Sequence, residues 1–443
     1  MSNLSEWLPN YKVVYGDFTD PHPTSDLMTA ALPFVPKESR NGRTFNVPVK
    51  VSPEQGQTAD VSGTAFAIHD ARNSVMKGAS LDGASLLYNG RIPYDAMLRT
   101  RNGTGDKRNG NAFKEAFELK TKDLMQQVEF YGEFAVHYGP GTGATIADDI
   151  GVVDSAGGTG TSLTAGVTVP LTIATWAPGV WARMTNALVD IYNTAGTTLL
   201  ANNVTVTAIN PDYAPGGSPK SPNITLIGTT TGNQQTTTGG SLVIASIYTS
   251  RIVPAGWAQN SCIGVVSRVK NTGIQDGINA ALYQVWKPVQ VTTTGTLTRL
   301  KLKSLMARMF PTDIRKGGKL WVSAPVFADL EEEMTSQNHY WPKGEMSQVG
   351  TNELTYKSPC GPLAIMLDPM MKYGTAVFWG NEAKAVRVGS SPLTFRGKGD
   401  EWFFLELQGN AGSEIRCMSN FTPFFSEPNK TACVTGIVPN ALI

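Results

Sequence analysis

Histidine and cysteine are scarce in this chain. Its four histidines, His22, His69, His137 and His339, stand singly, and its four cysteines, Cys262, Cys360, Cys417 and Cys433, form no C-x-x-C pair. Zinc sites and disulfide frameworks need such residues at short, paired spacings, so neither is expected and the thiols read as free and buried. A net charge is also missing: 37 Lys and Arg face 36 Asp and Glu, a balance of +1. Proteins that grip nucleic acid in a basic groove carry a clear positive excess, so contact with DNA is expected to be diffuse. No apolar run approaches the roughly 18 residues of a membrane span, and the start, MSNLSEWLPNYKVV, lacks a basic region followed by an apolar one. The expectation is a chain made and kept in a cytosol, with no membrane partner.

Catalytic motifs are missing too. H-E-x-x-H, G-x-S-x-G and G-x-x-x-x-G-K-[ST] do not occur. One stretch, HYGPGTGAT at 137–145, places Gly139, Gly141 and Ala144 at the spacing of a dinucleotide fingerprint. That fingerprint needs a strand before its glycines, and here a helix precedes them, so the stretch reads as a helix stop and hinge. Asp329, Glu331, Glu332 and Glu333 cluster in a helical pattern and read as a solvated face near a helix start. No catalytic residue, metal ligand or cofactor site is expected.

What is present is an unusual order of parts. Residues 1–55 form an arm broken by Pro21, Pro23, Pro33, Pro36, Pro48 and Pro53, with TFNVPVKV as one extended piece. From about 60 to 100 the pattern predicts a long two-armed loop, AFAIHDA on one arm and LLYNGRIPYDAML on the other, around a polar tip, RNSVMKGASLDG. Residues 112–138 predict one long helix: Phe113, Phe117, Leu124, Val128, Tyr131, Ala135 and Tyr138 fall on one face, with Lys114, Glu118, Lys122 and Gln126 opposite. Such a stripe is a packing face before it is a platform for bases. Only five charged residues then occur between 151 and 250, where NVTVTAI, NITLIG and SLVIASIY alternate between turns, which predicts an inserted small barrel or sandwich from about 165. After 255 the pattern is mixed: INAALYQVW, LTRLKLKSLMARMF and PVFADLEEEM predict helices, KLWVSA a strand, and 335–361 a polar loop. PLAIML, AVFWG, AVRV, WFFLELQ and EIRCMSNF predict closing strands.

This order resembles the major capsid proteins of tailed bacteriophages, the Hong Kong 97-like family. The resemblance is carried by GRIPYDAMLRTRNG (90–103), the helix 112–138 running into YGPGTG, GINAALYQVWKP (277–288), KLWVSAPVFADLEEEM (319–334) and CGPLAIMLDPMMKYGTAVFWGNEAKAVRVG (360–389). It implies an α+β fold with an N-terminal arm (1–55), an E-loop (56–104), a peripheral domain with a spine helix (105–164), an inserted β-domain (165–250), mainly the axial domain (251–385), and a return to the peripheral domain (386–443). It implies Arg72, Val75, Met76, Lys77, Leu81 and Asp82 as contacts between subunits, and Phe113, Phe117, Leu124, Val128, Tyr131 and Tyr138 as spine packing. Its implied function is an icosahedral shell around a phage genome, built in the host cytoplasm from hexamers and pentamers of this chain. The partners implied are a portal, packaged double-stranded DNA and, in some relatives, a decoration protein. No charged, coiled-coil-like segment precedes the arm, so a scaffold is expected as a separate protein. Some relatives weld subunits through a Lys and an Asn; Lys77 with Asn381 or Asn420 would be the pair here, and no catalytic Glu is marked. On the residues alone, a tail-tube or fibre subunit and a cytosolic enzyme with a β-insert remain alternatives.

Overall fold

The computed structural model describes residues 27–36, 40–41, 44–59, 70–93, 124–154, 163, 166–211, 222–228, 247–312, 314–337, 353–358, 360–395, 404–406 and 412–440. The chain is an α+β protein, with helices and four larger sheets among these residues. Phe113, Phe117, His22, His69 and His339 lie outside them.

The arm enters through α1 (Leu27–Ala31), whose Met28 and the following Leu32 are fully buried. Strand β1 (Phe34–Pro36) then pairs in parallel with a strand from the far end of the chain. Strands β2 (Arg40–Asn41), β3 (Thr44–Ser52) and β4 (Val75–Asp82) form a three-stranded sheet, and β5 (Ala84–Pro93) leaves it. This corrects the expected loop: the residues read as its polar tip form β4, which pairs with β3 over most of its length. Alternation explains it, since Phe45, Ala79 and Leu81 face one side and are buried against Trp286 and Phe424.

Helix α2 occupies 124–138 among the described residues and stops at Gly139, whose N–H donates to the Ala135 carbonyl at 3.2 Å. Its last two turns are buried on every side. Phe130, Phe134 and Tyr138, four residues apart, enter one core; Ala135 and Val136 enter a second; Leu124 and Val128 meet Tyr88 and Cys417 in a third. The glycine that follows is needed for close approach. A side chain on Gly264 would meet the His137 carbonyl oxygen at 2.3 Å, and one on Gly139 the Cys262 carbonyl oxygen at 2.1 Å.

Strands β6 (Gly151–Val152), β7 (Val167–Pro170), β8 (Leu188–Tyr192), β9 (Leu199–Asn210), β10 (Asn223–Ile227) and β11 (Arg251–Pro254) form one sheet in the order β6-β11-β8-β9-β10-β7, with a short helix α3 (Pro178–Trp181) between β7 and β8. A bridge between Val153 and Leu171 joins its two ends, with N–H···O bonds from Asp154 to Pro170 (2.8 Å) and from Thr172 to Val152 (2.9 Å). The sheet is thus a closed barrel, filled by Val169, Val180, Trp181, Val189, Ile191, Val204, Ile224 and Ile252. It includes strands outside 165–250, and its core contains Phe130, Phe134 and Tyr138 of α2. The composition suggested a unit that stands alone, whereas the apolar interior is continuous with the helix.

Helix α4 (Val265–Arg268) leads to β12 (Ile274–Gln275) and β13 (Ile278–Asn279). The helix expected across INAALYQVW (278–286) is therefore reduced to one 3-10 turn, Gln284–Trp286. Asp276 and Gly277 both take positive φ (51° and 82°) and make a two-residue turn, the Asp-Gly hairpin signal that outweighs the apolar spacing after it. Strand β14 (Val289–Gly295), helix α5 (Arg299–Met309), β15 (Gly318–Val322), helix α6 (Ala324–Gln337), β16 (Glu353–Ser358), β17 (Gly361–Leu367) and β18 (Thr375–Gly380) follow. Part of the expected polar loop 335–361 is thus strand β16, paired along β17. Strands β19 (Ala385–Phe395), β20 (Phe404–Glu406) and β21 (Gly412–Phe425) form a sheet with β1 and β5, and β22 (Thr431–Ile437) closes the order β14-β22-β18-β15-β17-β16. That six-stranded sheet is covered on both faces. Leu320, Val322 and Phe378 meet α5 and α6, while the alternate residues Trp321, Val377 and Trp379 meet α2.

The Gly264 contact gives a direct test. Gly264→Ala should lower the melting temperature, with a cost of roughly 2–3 kcal/mol from the backbone clash. Gly78→Ala, where nothing lies within 4 Å of the new methyl, should leave it unchanged.

Candidate assembly surface and its anchor

The end of α2 carries a buried charge set that ties the arm to the two halves of the chain. Glu133 and His137 are one turn apart and fully buried. The two Glu133 carboxylate oxygens accept the N–H groups of Met28 (2.8 Å) and Thr29 (2.9 Å), so they cap the first turn of α1. The His137 Nε2 lies 2.7 Å from Asp368 Oδ2, and its Nδ1 lies 2.8 Å from the Glu133 carbonyl oxygen. Asp368 Oδ1 accepts the Met370 N–H at 2.8 Å. Glu133, His137 and Asp368 are close enough to surround an ion. Their donor atoms, however, are already occupied by these hydrogen bonds.

Asp368 opens the loop DPMMKYG, which carries the second half of the anchor. The Tyr138 hydroxyl donates to the Met370 carbonyl (2.7 Å) and accepts the Lys372 N–H (2.8 Å). Lys372 Nζ donates to Asp148 (2.7 Å) and Asp149 (3.1 Å) and lies 4.6 Å from the Tyr138 ring centre. Burial opposes the ammonium, but the two aspartates outweigh it and raise the Lys372 pKa. The same contest decides His137. Burial pulls its pKa down, and Asp368 and then Glu133 lift it from 6.5 to about 9, so the ring is an imidazolium at neutral pH with both N–H groups donating. Burial raises the Glu133 pKa, opposed most by His137. The sequence shows His137 standing alone and cannot show its partners, because Asp368 is 231 positions away. The local signal was the lone Glu and His in the otherwise small and apolar YGEFAVHY.

The six residues expected at subunit contacts divide between two settings. Val75, Met76 and Lys77 lie at the outer end of β4, with Val75 39% and Met76 65% exposed, and Arg72 is exposed just before it. Leu81 is buried within its own chain, and Asp82 Oδ2 accepts the Thr142 hydroxyl at 2.8 Å. Among the described residues the hairpin therefore has a fixed root and an exposed outer end. The root is secured further by an Arg268–Asp276 ion pair, by the Ser80 N–H donating to the Asp276 carbonyl (2.7 Å), and by Arg268 Nη2 donating to Thr422 (2.9 Å). Of the spine residues, Leu124, Val128 and Tyr138 are buried, and Tyr131 packs between Tyr88 and Trp257. Of the asparagines considered for a weld, Asn420 is held by Ser85 and Ser390, and Asn381 donates to the Lys316 carbonyl.

No protein-family model matches the chain, and no curated protein matches its sequence. Solved structures similar to it include the capsid asymmetric unit of cyanophage A-1(L), at 10% identity and a TM-score of 0.49, covering 96% of this chain and 95% of that one. The capsid of cyanophage P-SCSP1u matches at 6% identity and a TM-score of 0.43, over 97% and 93%. The SrpI encapsulin of Synechococcus elongatus matches at 9% identity and a TM-score of 0.38, over 99% and 96%.

The His137 setting predicts a pH dependence. The folded ring holds its proton more tightly than the unfolded one, so its stabilisation is complete below pH 6.5 and is lost as pH rises through about 9. The melting temperature should fall across that window. His137→Gln should melt lower at pH 6.5 and show a flatter profile; equal slopes in both proteins would exclude His137 as the titrating group.

Proposed function

We propose that this chain is a major capsid protein of the tailed-bacteriophage type, which assembles with copies of itself into the icosahedral shell around a phage genome. The observation that carries the reading is the β3–β4 hairpin, rooted on a dense core yet bare at its outer end. Among the described residues no element of the same chain covers Val75 or Met76. One edge of β4 faces β3, and the other has no strand partner among the described residues. Such a projection is completed by a neighbouring molecule. The arm supports the same reading: a proline-broken segment docks through α1 and β1 on structure contributed by the rest of the chain. The function is structural, with no catalysis.

The domain reading is an arm (1–55) whose β3 also forms one side of the projecting hairpin, an E-loop (56–104), a peripheral domain (105–150 and 386–443), an inserted β-domain widened from 165–250 to the whole barrel at 151–254, and mainly axial domain (255–385). Arg72, Val75, Met76 and Lys77 are the contacts made to a neighbour. The partners are other copies in hexamers and pentamers, a separate scaffold, a portal, and DNA touched diffusely. A near-neutral chain suits this, since a strong charge repeated over many copies would add up to repulsion. The place of action is the virion, after assembly in the host cytoplasm.

Cryo-electron microscopy of the expressed protein, with a scaffold if one is required, should show closed shells; open tubes would favour a tail protein. Val75→Asp with Met76→Asp should keep the wild-type melting temperature and abolish assembly. Hydrogen exchange at 75–78 should slow on assembly, while 79–82 is protected already in free subunits.

A further inference from the structure

Charge is separated along the six-stranded sheet. Strands β14, β15, β17 and β22 all run the same way, so their ends define two opposite edges. At the C-terminal edge, α5 starts and the early turns of α6 pass. The Glu333 carboxylate accepts the Arg299 N–H (2.7 Å) and Asp329 accepts the Asn440 N–H (2.9 Å). Asp329, Glu332 and Glu333 line a recess of about 350 Å³ with Thr296, Thr298 and Asn440. With Glu331 this edge holds four acidic residues, against Arg299 and Lys301. Beside them stand two bare apolar side chains, Leu300 (74% exposed) and Val438 (59%).

The opposite edge has the other sign. Helix α5 ends there, with the Cys360 thiol donating to the Met306 carbonyl, and the Gly317 N–H donates to the Cys360 carbonyl (2.9 Å). Among the described residues, Arg308, Arg315, Lys316, Lys319 and Lys357 lie on the elements around this junction. The nearby Glu382, Lys384, Glu427 and Lys430 pair among themselves. This edge also bears a bare aromatic ring, Phe310, 60% exposed. The length of α5, 11 residues, separates the two edges by roughly 16 Å at 1.5 Å per residue.

We infer that the two edges are the two halves of one head-to-tail contact between copies of this chain. The basic edge, with Phe310, seats against the acidic edge of the next copy, with Leu300 and Val438. Each half combines an apolar centre with a charged surround, and the signs are opposite, which is the arrangement that fixes partner and register. A contact between two different patches of one chain repeats from copy to copy, and closes a ring when the rotation per copy divides a full turn. A polyanion such as DNA would use the basic edge alone and leave the acidic recess and its apolar pair unexplained. The inference rests on the shell reading and adds to it a salt-sensitive contact.

The test is a charge swap in the full chain. Lys316→Glu and Glu332→Lys are each made alone and then together, and assembly is followed by light scattering and negative-stain microscopy, with melting temperatures confirming folding. Each single variant should need about three- to tenfold more protein to assemble than wild type, and the double should return to within about twofold. Singles that assemble like wild type, or a double no better than the worse single, would overturn the contact while wild-type shells kept the capsid reading intact. Impairment by Lys316→Glu alone would assign the basic edge to a polyanion and also overturn it. A wild type that forms no shells would remove both readings.

Discussion

The imidazolium of His137, enclosed by Glu133 and Asp368, is the interaction on which the rest of the architecture depends. Two fully buried carboxylates need a counter-charge, and one ring supplies it to both. Glu133 reaches the arm, Asp368 begins the loop between β17 and β18, and the ring itself belongs to the helix. Three parts of the chain that are far apart in sequence therefore meet at one proton. The next residues of the loop extend the same junction to the barrel side, through Tyr138 and Lys372 with Asp148 and Asp149. Breaking one partner of such a set leaves an uncompensated buried charge, so the arrangement acts as a specification of geometry more than as a source of net stability.

Rigid anchoring and a bare periphery belong together in this molecule. The helix is buried on all sides where three cores converge, and the hairpin root is packed under Trp286 and Phe424. Side chains near the outer limits, by contrast, include exposed Met76, Leu300, Phe310 and Val438. This division suits the proposed role in a shell, because contacts made by many copies hold a common shape only if each copy presents its surfaces at fixed angles.

Much of the order of elements was legible in the sequence, because it depends on local signals. TFNVPVKV marked β3, the short apolar stretches PLAIML and AVFWG marked β17 and β18, EIRCMSNF marked β21, the period of α2 was plain, and Pro325 lies in the first turn of α6. The collapse in charge after residue 150 announced a β unit. What could not be read was pairing at a distance. β4 looked like a tip because its partner, β3, lies across a gap of more than twenty residues, and too few of its side chains are apolar to declare a strand alone. The segment after Gly277 looked helical because periodicity was weighed above the Asp-Gly turn. The buried charges escaped because a lone His on an apolar helix is ordinarily a surface or core residue, and its partner comes from a different part of the chain. Leu81 and Asp82 were assigned outward for the same reason: their own-chain neighbours, Phe45, Trp286 and Thr142, are fixed only by the fold.

The closure of the barrel has a consequence for life at high concentration. A unit with five charged residues in a hundred has almost no electrostatic means of keeping similar units apart. Were its first and last strands left open, each would offer an unpaired ladder to the same strand of another newly made copy, rich in Val, Ile and Thr. Joining Val153 to Leu171 removes both ladders at once. The barrel removes its open edges by topology, without drawing on the chain's charge.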